Sequence, residues 1–258
     1  MNNRPLSRAA LKYIAVVAML IDHIGYTLVW SEYIWNKYYN MRPLSFLPFM
    51  NTVDGAHMTY TLCRRIGRIA FPIFAYFVTE GFLKTRDVKK YVMRMALFAL
   101  AAEIPYNLCF GRMFFTFEHN NVIFTHLLGL LMLVCLKRFA EPYAETGNPS
   151  MNNMMSALII AGFCIIAQPF DGGVRGILMI ACCYVFRSSE NMKLVGMALA
   201  NMVIVIPFGP LQLWALAGIL LLKLYNGQRG RYPRYFFYLF YTLHLLALFF
   251  VQGYFFPA

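Results

Sequence analysis

Charge is what this sequence has least of. Asp, Glu, Lys and Arg make up 13% of its 258 residues, and only 11 of those are acidic. A soluble domain carries ~25% charged residues, so 60% hydrophobic content excludes an ordinary water-soluble fold. Metal-ligand spacing is missing too. No HxxxH, HExxH or HxH occurs, and no metal is expected. The six cysteines (63, 109, 135, 164, 182 and 183) include no CxxC pair. Most lie inside apolar runs and read as small packing residues rather than a redox centre. No repeat recurs at a fixed period, which counts against the repeat-built transporters. No small-residue cleavage site follows the first apolar run, so that run reads as a retained helix and not a signal peptide.

What the chain has instead is apolar length. Nine segments are expected, at about Lys12–Trp30, Gly67–Leu83, Tyr91–Phe110, Val122–Leu136, Met154–Ala167, Val174–Phe186, Leu194–Ile206, Leu211–Leu224 and Tyr235–Tyr254. They predict an all-α polytopic transmembrane bundle, one domain over residues 1–258, in contact with membrane lipid. Several runs are shorter than the ~20 residues of a full span. Ser31–Cys63 reads as a wet, aromatic loop, and EPYAETGNPSMNN (141–153) as the most loop-like linker.

The net charge of +12 would point to nucleic acid in a soluble protein. Here the cations sit in short loops between apolar runs, so membrane topology accounts for them and no nucleic-acid partner is expected. The loop bias places the N-terminus in the cytoplasm and, with nine crossings, the C-terminus outside. The basic residues off that pattern are Lys37, Arg42, Arg64, Arg65, Arg68, Arg112 and Arg175. Arg64, Arg65 and Arg68 cluster at the expected outer start of the second segment, against the rule.

Six ionisable residues fall inside apolar runs: Asp22, His23, Glu80, Glu103, His126 and His244. An acid at the centre of a bilayer costs roughly 2.5–3.5 kcal/mol on insertion scales, so such residues default to a functional reading. Eleven helical steps separate Lys12 from His23, which returns to within ~20° of the starting direction at a rise of ~16 Å. The first helix therefore carries a cation near one surface and an ionisable pair half-way across, with Lys12 and His23 on one face. Glu103 lies four residues before Asn107, with Pro105 between them to kink the helix. His126 follows Asn121 and Thr125. His244 shares a face with Tyr241. Glu80 has a plainer alternative, snorkelling to the cytoplasmic interface.

The motifs IAVVAMLIDHIG (14–25), RRIGRIAFPIFAYFVTEGFLKTRDVKKY (64–91), EIPYNL (103–108), NVIFTHLLGL (121–130), GVRGIL (173–178) and FYTLHLL (240–246) occur in order through almost the whole chain. In them the sequence resembles the TraX family of membrane proteins, whose best-known member is linked to N-terminal acetylation of conjugative pilin. Two positions depart from the family pattern: Thr242 stands where members tend to have proline, and Gly172 where they tend to have tyrosine. The chain is also similar to large membrane acyltransferase families, which carry Arg or Lys, ten residues, then His in their first helix.

These resemblances imply a bacterial inner-membrane enzyme. The donor would be acetyl-CoA, or another acyl-CoA, entering from the cytoplasm. The acceptor would be an amine or hydroxyl, on a pilin-like protein N-terminus or a cell-surface glycan. His23 would be the catalytic base, with Asp22, Glu103 or His244 orienting or recharging it. Lys12, Lys89 and Lys90 would hold the CoA phosphates, helped by Lys84, Arg86 and Arg94. The positive-inside rule alone would also place these cations there. Arg64 and Arg68 would either hold the acceptor or pair with Asp22, and Asn121 and His126 are further acceptor-binding candidates. Two other classes stay open on the residues alone, a proton-coupled transporter and a non-catalytic assembly subunit.

Overall fold

The first helix does not stop where its hydropathy falls. It runs from Arg8 to Tyr39 as α1, through a π-helical stretch at Gly25–Val29. Ser31–Tyr39 is thus helix and not loop, because two of its polar residues turn inward. Glu32 and Asn36, one helical turn apart, are buried, and Tyr38 and Tyr39 face out. Asn40 in the left-handed region ends the helix. The computed structural model describes residues 4–44, 46–47, 50–111, 113–114, 120–233 and 235–256, excluding the side chains of 204–208. Arg112, residues 115–119 of the polar loop and Arg234 of the basic linker lie outside them.

Eight further helices follow among the described residues: α2 (Val53–Lys84), α3 (Val88–Gly111), α4 (Val122–Glu145), α5 (Pro149–Ile166), α6 (Gly173–Val185), α7 (Glu190–Phe208), α8 (Pro210–Leu222) and α9 (Phe236–Phe255). Six of them, α1 to α5 and α9, are long and apolar enough to cross a membrane. The protein is an all-helical, multi-pass membrane protein.

Two boundaries differ from the sequence reading, for local reasons. α2 starts at Val53 and not near Gly67, because Thr52 caps it by accepting from the Gly55 amide (3.0 Å). The stretch 141–153 is mostly helical. α4 continues through Glu145, Pro149 stands at the first turn of α5, and Asn148 caps α5 from the Met151 amide (3.1 Å). The link is Thr146–Asn148. Between α2 and α3, Asp87 accepts from the Lys90 amide (2.9 Å), and that bond holds its carboxyl below the ordinary carboxylate range.

The chain divides into two compact units. The first holds residues 1–70, 104–115 and 210–258, and the second 71–103 and 116–209. In the first unit α1 and α9 run parallel. Lys12 lies over the Phe237 ring (5.1 Å), His23 meets His244, the Gln252 amide reaches Ser31 (3.0 Å), and the Trp35 and Phe256 rings are 5.4 Å apart. Their starting ends are tied by backbone bonds, Leu6 to Leu224 (3.0 Å), Asn226 to Leu6 (2.9 Å) and Arg8 to Gln228 (2.9 Å).

Parallel first and last helices constrain the topology. α9 begins on the face where α1 begins, so the segments from α1 to α8 together make an even number of crossings. Cysteines introduced at Ser7 and Asn226 in a cysteine-free background are expected to label from the same side of sealed vesicles. Labelling from opposite sides would reject the parallel pair.

Candidate functional site

Two glycines let α1 and the first half of α2 approach closely. A Cβ on Gly25 would overlap Cys63, and one on Gly67 would overlap the Asp22 carboxylate. This is the small-residue packing that membrane helices use. Gly67 lies between Arg64 and Arg68, so its missing side chain opens the slot that Asp22 enters. Arg64 Nη1 donates to Asp22 Oδ2 at 2.7 Å, and Arg68 Nη2 donates to both carboxylate oxygens at 3.2 and 3.4 Å. The Arg64 guanidinium also covers the Tyr26 ring at 5.0 Å. Of the two roles the sequence allowed these arginines, the structure shows pairing with Asp22. Arg65 points elsewhere, over the Trp214 ring (5.7 Å). Two half-buried cations inside a helix are thus explained by a buried acid.

Asp22 and His23 adjoin in sequence but serve different partners. His23 Nδ1 lies 2.7 Å from His244 Nε2, and the two rings are nearly coplanar, 4° apart. His244 Nδ1 lies in turn 2.7 Å from the Phe240 carbonyl. The sequence left Asp22, Glu103 and His244 as possible partners of His23; the imidazole that meets it is His244. Phe110 from the end of α3 packs its edge on the His23 ring (5.3 Å), and Tyr241 lies 6.3 Å away. His23 is half-buried and His244 buried, and the Nε2 of His23 has no partner among the described residues. The π-helical turn of α1 begins two residues on, and Thr27 donates back to the His23 carbonyl (2.7 Å). Such turns recur at functional sites.

Lys12 turns toward α9 as His23 does, so the expected shared face is present. Its ammonium sits over Tyr232 (5.7 Å) and Phe237 (5.1 Å).

The remaining candidates lie in the second unit. Asn121 caps α4 through the Ile123 amide (3.0 Å), and its Nδ2 donates to the Ala99 carbonyl (2.9 Å) and to Glu103 (2.5 Å). The Asn121–Glu103 pair therefore joins α3 to α4. Asn121 is held by these bonds, whereas Glu103 Oε1 is buried with no hydrogen-bond partner among the described residues. His126 is buried beside the Phe71 ring (5.5 Å), whose face is also covered by Arg175 (4.5 Å). Lys84 bonds Glu80 (2.6 Å), Lys90 pairs with Asp87 (3.2 Å), and Lys89 is exposed. Gly172, one of the two departures, has φ 91°, with the Phe71 ring where a Cβ would stand. At the other, the Thr242 hydroxyl bonds the Tyr238 carbonyl (3.2 Å) within an unbroken helix. Phe110 escaped the sequence reading because one aromatic among many carries no spacing signal.

The chain matches the family described as TraX protein over residues 7–252. It belongs to the TraX family. A relative from Dichelobacter nodosus, the probable fimbrial assembly protein FimC of serogroup H1, is 30% identical over 139 residues. The match covers 51% of this chain and 47% of that relative, so it spans about half the length of each. No solved structure matches.

Proposed function

We propose that this TraX-family protein is a membrane-bound acyltransferase. It would move an acetyl group from acetyl-CoA to an amine or hydroxyl acceptor, with His23 as general base. The observation that carries the reading is the His23–His244 pair, in which one His23 nitrogen is engaged and the other has no partner among the described residues. Acyl transfer needs such a base, held in one orientation next to a low-dielectric wall. Phe110 and Tyr241 supply that wall.

The starting ends of α1 and α9 gather Arg4, Arg8, Lys12 and Arg229 at one end of the first unit. This favours that end as the cytoplasmic mouth where the CoA phosphates dock. The D. nodosus relative is named for fimbrial assembly, which favours a fimbrial subunit over a glycan as acceptor.

The test is thiol release. Purified protein given acetyl-CoA and a fimbrial-subunit N-terminal peptide is expected to liberate free CoA thiol and acetylate the peptide. A folded protein that releases no thiol with amine or hydroxyl acceptors would defeat the reading.

A further inference from the structure

Two hydrogen bonds decide where the protons sit in the histidine pair. A carbonyl oxygen can only accept, so His244 Nδ1, 2.7 Å from the Phe240 carbonyl, carries a proton. A neutral His244 then has a bare Nε2. That nitrogen accepts, at 2.7 Å, from His23 Nδ1–H. His23 is left with an unprotonated Nε2. The α9 backbone thus fixes, through one ring, the tautomer of a histidine on α1. Packing holds the arrangement. The Phe240 ring stacks on His244 (5.0 Å, 13°), and Tyr241 meets it edge-on (5.7 Å).

We infer that His23 and His244 form a two-ring proton relay, with His244 a positioning residue and the Phe240 carbonyl setting the relay's direction. The origin of the proton rests on the acyl-transfer reading above. The acceptor's lone pair attacks the thioester carbonyl, and its N–H or O–H proton goes to His23 Nε2. The His23 Nδ1 proton moves to His244 Nε2. His244 now holds two N–H bonds and the positive charge, with Nδ1–H still on the Phe240 carbonyl. When the C–S bond breaks, the thiolate takes a proton from His23 Nε2, both shifts reverse, and free CoA thiol leaves. No proton is gained or lost by the pair over a cycle.

From α2, Arg64 and Arg68 flank Asp22, the residue next to His23, and both are paired with its carboxylate. From α3 the facing group is Phe110, which is uncharged. From α9 it is Tyr241.

The test uses the full chain with ¹⁵N-labelled histidine in nanodiscs, each ring assigned by single His→Gln variants. In the neutral pair both Nδ1 atoms are expected to be protonated and His23 Nε2 bare. Acidification is expected to add one proton to the pair in a single step, at His23 Nε2, after which the bridging proton and the charge are shared between His23 Nδ1 and His244 Nε2. In His244→Gln the amide oxygen can still accept from His23 Nδ1–H, so the His23 tautomer is kept and the added proton stays on His23. That variant is expected to lose about 10–100-fold in kcat, the span for altering the group behind a functional imidazole, because the charge can no longer pass to a second ring, with KM for acetyl-CoA unchanged. Finding His23 as the Nε2–H tautomer, or the two rings titrating independently, would overturn the relay. The expected spectra without thiol release would sink the acyl-transfer reading and leave the proton pair standing.

Discussion

His23→Ala is expected to lower acyl transfer by ~10²–10⁴-fold, the usual span for losing general acid–base catalysis. The side chain is half-buried and touches His244, Phe110 and Tyr241, so its removal leaves a small void and no unpaired charge. The variant should therefore fold. Donor binding should survive as well, because Lys12 lies ~16 Å away along the helix. Measured kcat would drop while the affinity for acetyl-CoA stays near that of the unaltered chain. Near-normal turnover by folded His23→Ala protein would remove His23 from the chemistry.

Asp22→Asn should show the opposite profile, large in stability and small in chemistry. Asp22, Arg64 and Arg68 form one charge cluster with side-chain exposures of 12%, 18% and 15%. Removing the acid leaves two cations facing each other in a low-dielectric site, and breaking a buried pair in this way costs about 3–5 kcal/mol. Thermal inactivation in detergent should move down steeply. Asp22→Asn combined with Arg64→Gln and Arg68→Gln should recover most of the loss, since no unpaired charge remains. Gly67→Ala should resemble the single variant in kind, because its methyl group would displace the same carboxylate. Should Asp22→Asn instead keep full stability and lose turnover, Asp22 would belong to the chemistry and not to the ion pair.

Much of the site was legible because helix geometry is strict. Lys12 and His23 could be placed on one face from their spacing, and both do turn toward α9. The same rule separates Asp22 from His23. Neighbouring residues on a helix point ~100° apart, so one goes to α2 and the other to α9. Helix ends were less legible. Hydropathy measures how well a residue suits lipid, whereas a helix continues wherever its backbone bonds are satisfied. Ser31–Tyr39 and Val53–Gly67 are helical on that account, with Glu32 and Asn36 buried inside the first.

The sequence by itself determined the class of the molecule. Apolar runs of this length, with most of the cations in the short loops between them, fold as membrane-spanning helices, which satisfy their own backbone within lipid. It also determined that the IDHIG segment carries polar groups needing partners, and its motifs determined the family. Only the tertiary structure decided which partners those are. His244 is 221 residues from His23, and Arg64 and Arg68 are 42 and 46 residues from Asp22. Local spacing carries no information at those separations. The choice is made by helix packing, where Gly25 and Gly67 admit α2 against α1 and the parallel register of α9 delivers His244 to the remaining face.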